Sequence, residues 1–207
     1  MDELFEVARQ AYQSGYRLLK LYFMIGLPTE TNQDLEEIVL LCVKLSRLRK
    51  EVDGHPADIN VSISNFVPKP HTPLQWQAMA SLEDLLEKQA TLRKIFRKTS
   101  GTIHLKFHSA PMSFVEAVLG RGDRHLAKVL LRAFQKGAKF DAWQEHFNFS
   151  LWQEAFLKEG IDPKAILCAK SFQDPLCWDH IDMGFSKENL IREARLASEE
   201  AGKALTI

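Results

Sequence analysis

Lys20-Leu21-Tyr22-Phe23-Met24-Ile25-Gly26-Leu27-Pro28-Thr29-Glu30-Thr31 is the stretch that decides the fold. Its first half belongs to the run LLKLYFMI (18–25), short and nearly continuously apolar. Such a run predicts a strand covered on both faces, as in parallel sheets. Gly26 to Glu30 breaks it. Thr31 then predicts a helix start, because its hydroxyl can accept a bond from the amide near Asp34, an acidic residue three positions on. Leu35, Ile38, Cys42 and Leu45 follow at helical spacing, with Val39 beside them. In α/β folds ligands sit at the C-terminal ends of strands. Gly26 lets backbone approach a ligand there, and the amides after Thr31 offer a weak anion site. The competing reading is that Gly26 and Pro28 only shape a βα turn.

Before this stretch, 2–14 reads as a helix with Leu4, Phe5, Ala8, Ala11 and Tyr12 on one face, ended by Gly15. After it, INVSISNF (59–66) alternates and is β-branched, which predicts a strand. Ser62 and Ser64 fall on one face of it. Hydroxyls facing a barrel interior imply a polar ligand or water, and the alternative is a solvent-facing edge. Residues 67–76 hold Pro68, Pro70 and Pro73 and must be loop. Lys69 and His71 on that loop are candidates for a substrate-side contact. Ser81 caps a third helix, with Asp84 three residues on. Its buried side draws on Leu82, Leu85, Leu86, Ala90, Leu92 and Phe96. Gly101 ends it, and TIHLKF (102–107) is the third strand.

The order helix–strand–helix–strand–helix–strand is that of βαβ crossovers and a parallel sheet. From Ala110 on no strand is visible. Helices are expected over 111–119, stopped by Gly120, and from an Asp123 cap to Gln135. Others are expected around 141–146, over 150–158, after Asp162-Pro163, and from a Ser186 cap to about Ala201. Trp143, Trp152 and Trp178 read as core packing. The chain therefore reads as α/β, a partial parallel (β/α) barrel half of three βα units over 1–109, followed by an all-helical extension over 110–207. Three parallel strands leave unpaired edges. Exposed apolar surface is therefore expected at the N-terminal side of the first strand, where further strands would pair.

Composition narrows the class. Of 207 residues, 45% are apolar and 26% charged, and Lys plus Arg equals Asp plus Glu at 27 each. A formal net charge of zero argues against nucleic acid and anionic membrane as partners. The runs Arg47-Leu48-Arg49-Lys50 and Arg93-Lys94-Ile95-Phe96-Arg97-Lys98 read as solvated helix ends. No stretch of about 18 apolar residues is present. The three cysteines Cys42, Cys168 and Cys177 are an odd, small set that favours free thiols in a reducing cytoplasm. Cys42, on an apolar stripe, reads as a buried thiol. Cys168 with Cys177 and His180 fits no strong zinc spacing.

KLYFMIGLPTET (20–31), VSISNFVPKPHTPLQW (61–76), Arg121-Gly122-Asp123-Arg124, GAKFDAW (137–143) and Trp178-Asp179-His180-Ile181 with Gly184 together resemble radical S-adenosylmethionine proteins of the cobalamin-binding-domain-containing type. The first two segments are more distantly similar to late barrel strands of radical methylthiotransferases. The resemblance covers nearly the whole chain. It implies a partial (β/α)₆ barrel, a four-iron four-sulfur cluster, and reductive cleavage of S-adenosylmethionine to a 5′-deoxyadenosyl radical, with cobalamin a further candidate cofactor. It also implies that the strand ending at Gly26 is the fifth and the strand ending at Phe66 the sixth. Ile25, Gly26, Asn65, Phe66 and Val67 would then flank the adenine, while Met24, Ser62 and Ser64 would face the interior.

The resemblance departs where the cluster is held. The family's C-x3-C-x2-C loop supplies three thiolates, the ligands such clusters need, and this sequence has none. It therefore reads as the C-terminal part of such an enzyme, truncated or split, with no cluster and no cofactor firmly bound alone. The expected partner is the missing N-terminal barrel half, or a second copy. The alternative is a non-catalytic interaction module that keeps the half-barrel as scaffold and binds through its aromatic-rich helical part. A self-contained nucleotide binder is disfavoured, because no P-loop or dinucleotide glycine pattern is present.

Overall fold

The structure, a computed structural model, describes residues 2–99 and 101–200. They form two compact units. The first takes the described residues of Met1–Gly26, Glu30–Asn65 and Glu83–His108. The second takes Leu27–Thr29, Phe66–Leu82 and the described residues from Ser109 on. The Pro-rich stretch after the second strand is thus part of the second unit, although the chain continues from it into the third helix of the first.

The first unit runs α1 (Asp2–Gln13), β1 (Leu18–Ile25), α2 (Asn32–Asp53), β2 (Asp58–Asn65), α3 (Leu82–Phe96) and β3 (Ile103–Phe107). The strands form one parallel sheet in the order β1-β2-β3. Leu18 pairs with Asp58 and Ile25 with Asn65, while Ile59 pairs with Ile103 and Ile63 with Phe107. Period-two geometry sends Ile59, Val61 and Ile63 to one face, where all three are buried. They pack with Leu35, Val39, Cys42 and Leu45 of α2, with Leu92 and Phe96 of α3, and with Ala8 and Tyr12 of α1. The Tyr12 hydroxyl donates to the Leu45 carbonyl at 3.0 Å, tying α1 to α2. At the start of α2 the Thr31 hydroxyl and the Asp34 carboxylate complete a reciprocal capping box.

The opposite face of the sheet carries no helix of this unit among the described residues. Lys20, His104 and Lys106 are exposed, and Asn60, Ser62 and Ser64 are half-buried. Tyr22 is 77% exposed. The expectation that β1 is covered on both faces is therefore corrected. Leu18, Tyr22 and Met24 made the strand read as continuously apolar, so its alternation was hidden. Apolar groups do lie exposed along β1 and the turn before it, at Tyr16, Leu18, Tyr22 and Met24.

The second unit carries α4 (Ala110–Arg121), α5 (Leu126–Gln135), α6 (Phe149–Lys158), α7 (Pro163–Leu167) and α8 (Lys187–Glu200). No strand occurs in it among the described residues. Ser109 caps α4, and the helix runs through Gly120 to Arg121. A glycine in a last turn costs only about 1 kcal/mol, and burial of Val118 and Arg121 outweighs it. Asp123 is not the cap of α5. It accepts from the His125 amide at 2.8 Å in a turn just before the helix. Residues 141–146 form turns rather than a helix. There the Asp141 carboxylate accepts from Trp152 Nε1 at 3.2 Å. Trp152 and Trp178 are buried as expected, but Trp143 is 55% exposed. The Ser186 hydroxyl accepts from the Asn189 amide at the start of α8, while Ala201 lies outside the described residues.

Candidate functional site

The C-terminal ends of β1 and β2 form the first part of the site. Ile25 is fully buried, and Gly26 follows with φ 84°, a backbone conformation that glycine adopts without steric cost. Its amide donates to Glu30 Oε2 at 2.9 Å. The Glu30 side chain is only 4% exposed, and its other oxygen pairs with the Lys88 ammonium of α3. A carboxylate removed from water is stable only with such partners. Glu30 therefore locks the turn that follows β1. Sequence reading passed over this residue, although an acid inside a glycine-proline turn beside a buried strand was the available signal.

Asn65 ends β2 and is 5% exposed. Its side-chain amide donates to the His108 carbonyl at 3.3 Å, and its side-chain oxygen accepts from Gln89 Nε2 at 3.0 Å. Gln89 Nε2 also donates to the His108 carbonyl. The Asn65 side chain is thus engaged in joining β2, α3 and the end of β3, so a ligand at this strand end would meet backbone. Arg93 lies 4.4 Å over the Phe107 ring, and Arg49 is buried with hydrogen bonds to Asp53 and the Pro56 carbonyl. Arg49 is therefore not the solvated helix end expected of it, whereas Arg93 is exposed as expected. The Arg49 guanidinium holds the Asp53 carboxyl below its ordinary range.

The bare sheet face is the second part. Met24 is 46% exposed on it. Ser64 Oγ donates to the Phe23 carbonyl at 3.1 Å, so one of the two candidate hydroxyls is occupied by the sheet itself. A depression of about 290 Å³ lies along Lys20, Tyr22, Asn60, Ser62, His104 and Lys106.

The remaining candidates belong to the second unit. Phe66 is buried and Val67 half-buried. Lys69 pairs with Glu116. His71 adopts φ 56°, with its amide donating to Gln75 Oε1 and its Nε2 buried without a partner. Arg121 is 1% exposed and makes no ion pair among the described residues. It donates instead to the carbonyls of Gln75, Gln77 and Cys168 at 3.1, 2.6 and 2.9 Å. Burial pulls its pKa down.

Cys42 is buried, and Cys168 and Cys177 are exposed. Among the described residues no group of three or more His, Cys, Asp or Glu could hold a metal ion. The thiolate set that an iron–sulfur cluster needs is not assembled by these residues. No helix is long and apolar enough to cross a membrane among the described residues.

The chain is 30% identical over 122 residues to an uncharacterized protein of Methanocaldococcus jannaschii. The match takes in 58% of this chain and spans 24% of that relative's length. No family model matches. No solved structure matches either.

Proposed function

We propose that this chain supplies late strands of a radical S-adenosylmethionine barrel, β1 standing fifth and β2 sixth, with the cluster held by another section of the enzyme. One observation carries the reading: the parallel sheet is bare on one face and unpaired along β1. Parallel sheets are ordinarily covered on both faces, and a barrel covers the inner one by closing on itself. Helices on the outer face, a glycine turn at the C-terminal end of β1 and polar side chains on the bare face all suit that arrangement. The backbone at Ile25, Gly26, Asn65, Phe66 and Val67 would border the cofactor. The cluster itself does not fit the residues present here, so no chemistry is assigned to this chain alone.

The test is anaerobic iron–sulfide reconstitution of this chain, alone and together with the section of the same enzyme that carries a C-x3-C-x2-C loop. The chain alone should give no absorbance band at about 400 nm, where thiolate-ligated clusters absorb. The assembled protein should give the band and release 5′-deoxyadenosine under reduction. An assembled protein without either result, or a genome with no such section to pair with this chain, would overturn the proposal.

A second reading is a binding module, which the exposed Phe134, Phe140 and Trp143 of the second unit favour. A defined stoichiometric complex with no cluster in any component would select it.

A further inference from the structure

The bare face of the sheet is cationic. In register, Lys20 sits beside Asn60, and Asn60 beside His104. In the next row Tyr22 sits beside Ser62, and Ser62 beside Lys106. Neighbouring strands are about 4.8 Å apart, so each row spans roughly 10 Å. Both rows border the same depression. None of the six side chains has a hydrogen-bond or ion-pair partner among the described residues. Every one of them carries a donor, and the two ammonium groups carry nothing else. Among the described strand residues the one carboxylate on this face, Asp58, lies a row before Lys20 at the N-terminal margin.

This pattern is unusual for a chain of zero formal charge. Elsewhere in this unit Lys88 is paired with Glu30, and Arg49 with Asp53. On the barrel reading, closure would take Lys20 and Lys106 out of bulk water. An ammonium in such a place is unfavourable unless an anion meets it. Hydroxyl and amide donors between the two lysines can bond the same anion's remaining oxygens.

We infer that the depression over β1–β3 binds a small polyanionic substrate, a phosphate or carboxylate compound, through Lys20, Lys106 and the donors between them. The inference deepens the barrel reading and rests on it, but its test does not need the cluster. The full chain is titrated at low ionic strength with inorganic pyrophosphate and, separately, with citrate. Amide chemical shifts of 20–22 and 104–106 are followed.

Saturable binding of one probe is expected, and the stronger probe assigns the phosphate or the carboxylate class. Lys20→Gln and Lys106→Gln should each weaken it about tenfold, as loss of one charge-assisted hydrogen bond does. The double variant should lose saturation. Lys69→Gln, whose lysine pairs with Glu116 in the other unit, should bind as the parent does. These lysines are exposed, so the variants should keep the parent's urea midpoint. No saturable binding of either probe overturns the inference, as does binding that survives the double substitution. Binding that vanishes when the barrel's other section is added also overturns it, because acidic side chains would then occupy the face. Failure of cluster assembly with the anion site intact would sink the barrel reading and leave the site standing.

Discussion

Trp178 Nε1 donates to Gln75 Oε1 at 2.6 Å, joining residues 103 apart in sequence. The same oxygen accepts from the half-buried His71 amide, and Gln75 and Trp178 are both buried. One glutamine side chain thus ties the Pro-rich loop to the stretch before α8. Trp76, Leu176 and Trp178, with Phe172 packed against them, form the apolar cluster around it. Removing only the acceptor, in Gln75→Leu, strands the buried Trp178 indole N–H and the half-buried His71 amide. We expect a loss of about 2 kcal/mol, read from urea unfolding followed by tryptophan fluorescence.

Arg121 serves the same loop from the other side. Its guanidinium donates to three backbone carbonyls. Lysine carries the charge but lacks the planar fork. Arg121→Lys should cost about 3 kcal/mol, since hydrogen bonds to charged groups contribute about 1.5–3 kcal/mol each. Circular dichroism at rest should be unchanged while the urea midpoint falls.

The Glu30 carboxylate should govern the turn at Gly26. In Glu30→Ala the Gly26 amide loses its acceptor and Lys88 its counter-charge. Hydrogen exchange at the Gly26 amide should accelerate at least about tenfold, corresponding to a local loss above about 1.4 kcal/mol. Lys88→Met leaves the Gly26 bond in place but the carboxylate unpaired. It should destabilise the unit as a whole with a smaller change at that amide.

Alkaline pH should unfold the first unit through Cys42 and Tyr12. Burial pushes the Cys42 thiol from 9.0 up to about 12. Burial likewise pushes the Tyr12 phenol from 10.0 to about 12, against a smaller opposing pull from Arg49. The native state therefore holds protons that the unfolded chain has released. Stability is complete below about pH 9 and falls as pH rises toward 12. The urea midpoint should drop across that window, and Cys42→Ala with Tyr12→Phe should flatten the drop. Native protein at pH 8 should react with a thiol reagent at the exposed Cys168 and Cys177 while Cys42 waits for denaturant.

Much of the architecture was legible because it rests on local rules. The Thr31–Asp34 capping box, the alternation of Ile59, Val61 and Ile63, and Gly15 beyond the end of α1 are each set by residues within a turn or two. Elements of the second unit were less legible. Gly120 reads as a stop, and Asp123 as a cap, until burial of Arg121 extends α4 and shifts the start of α5. Residues 141–146 carry helix-compatible side chains, but Asp141 bonds Trp152 instead. At the strand ends, Gly26 stood out from its position after an apolar run, while Ile25 and Asn65 entered through the family resemblance. That the Asn65 amide is already engaged depends on Gln89 and His108, which no spacing rule brings to it.

The sequence alone settled the alternation of helix and strand, the parallel sheet and the glycine turn after β1, since backbone preference and hydrophobic period are properties of neighbours along the chain. Tertiary structure decided which face of that sheet stays bare, which lysines go without a counter-charge, and that the Pro-rich loop belongs with α4 and Trp178. Those outcomes depend on long-range burial and pairing, where a carbonyl or carboxylate far away in sequence determines whether a polar side chain is satisfied.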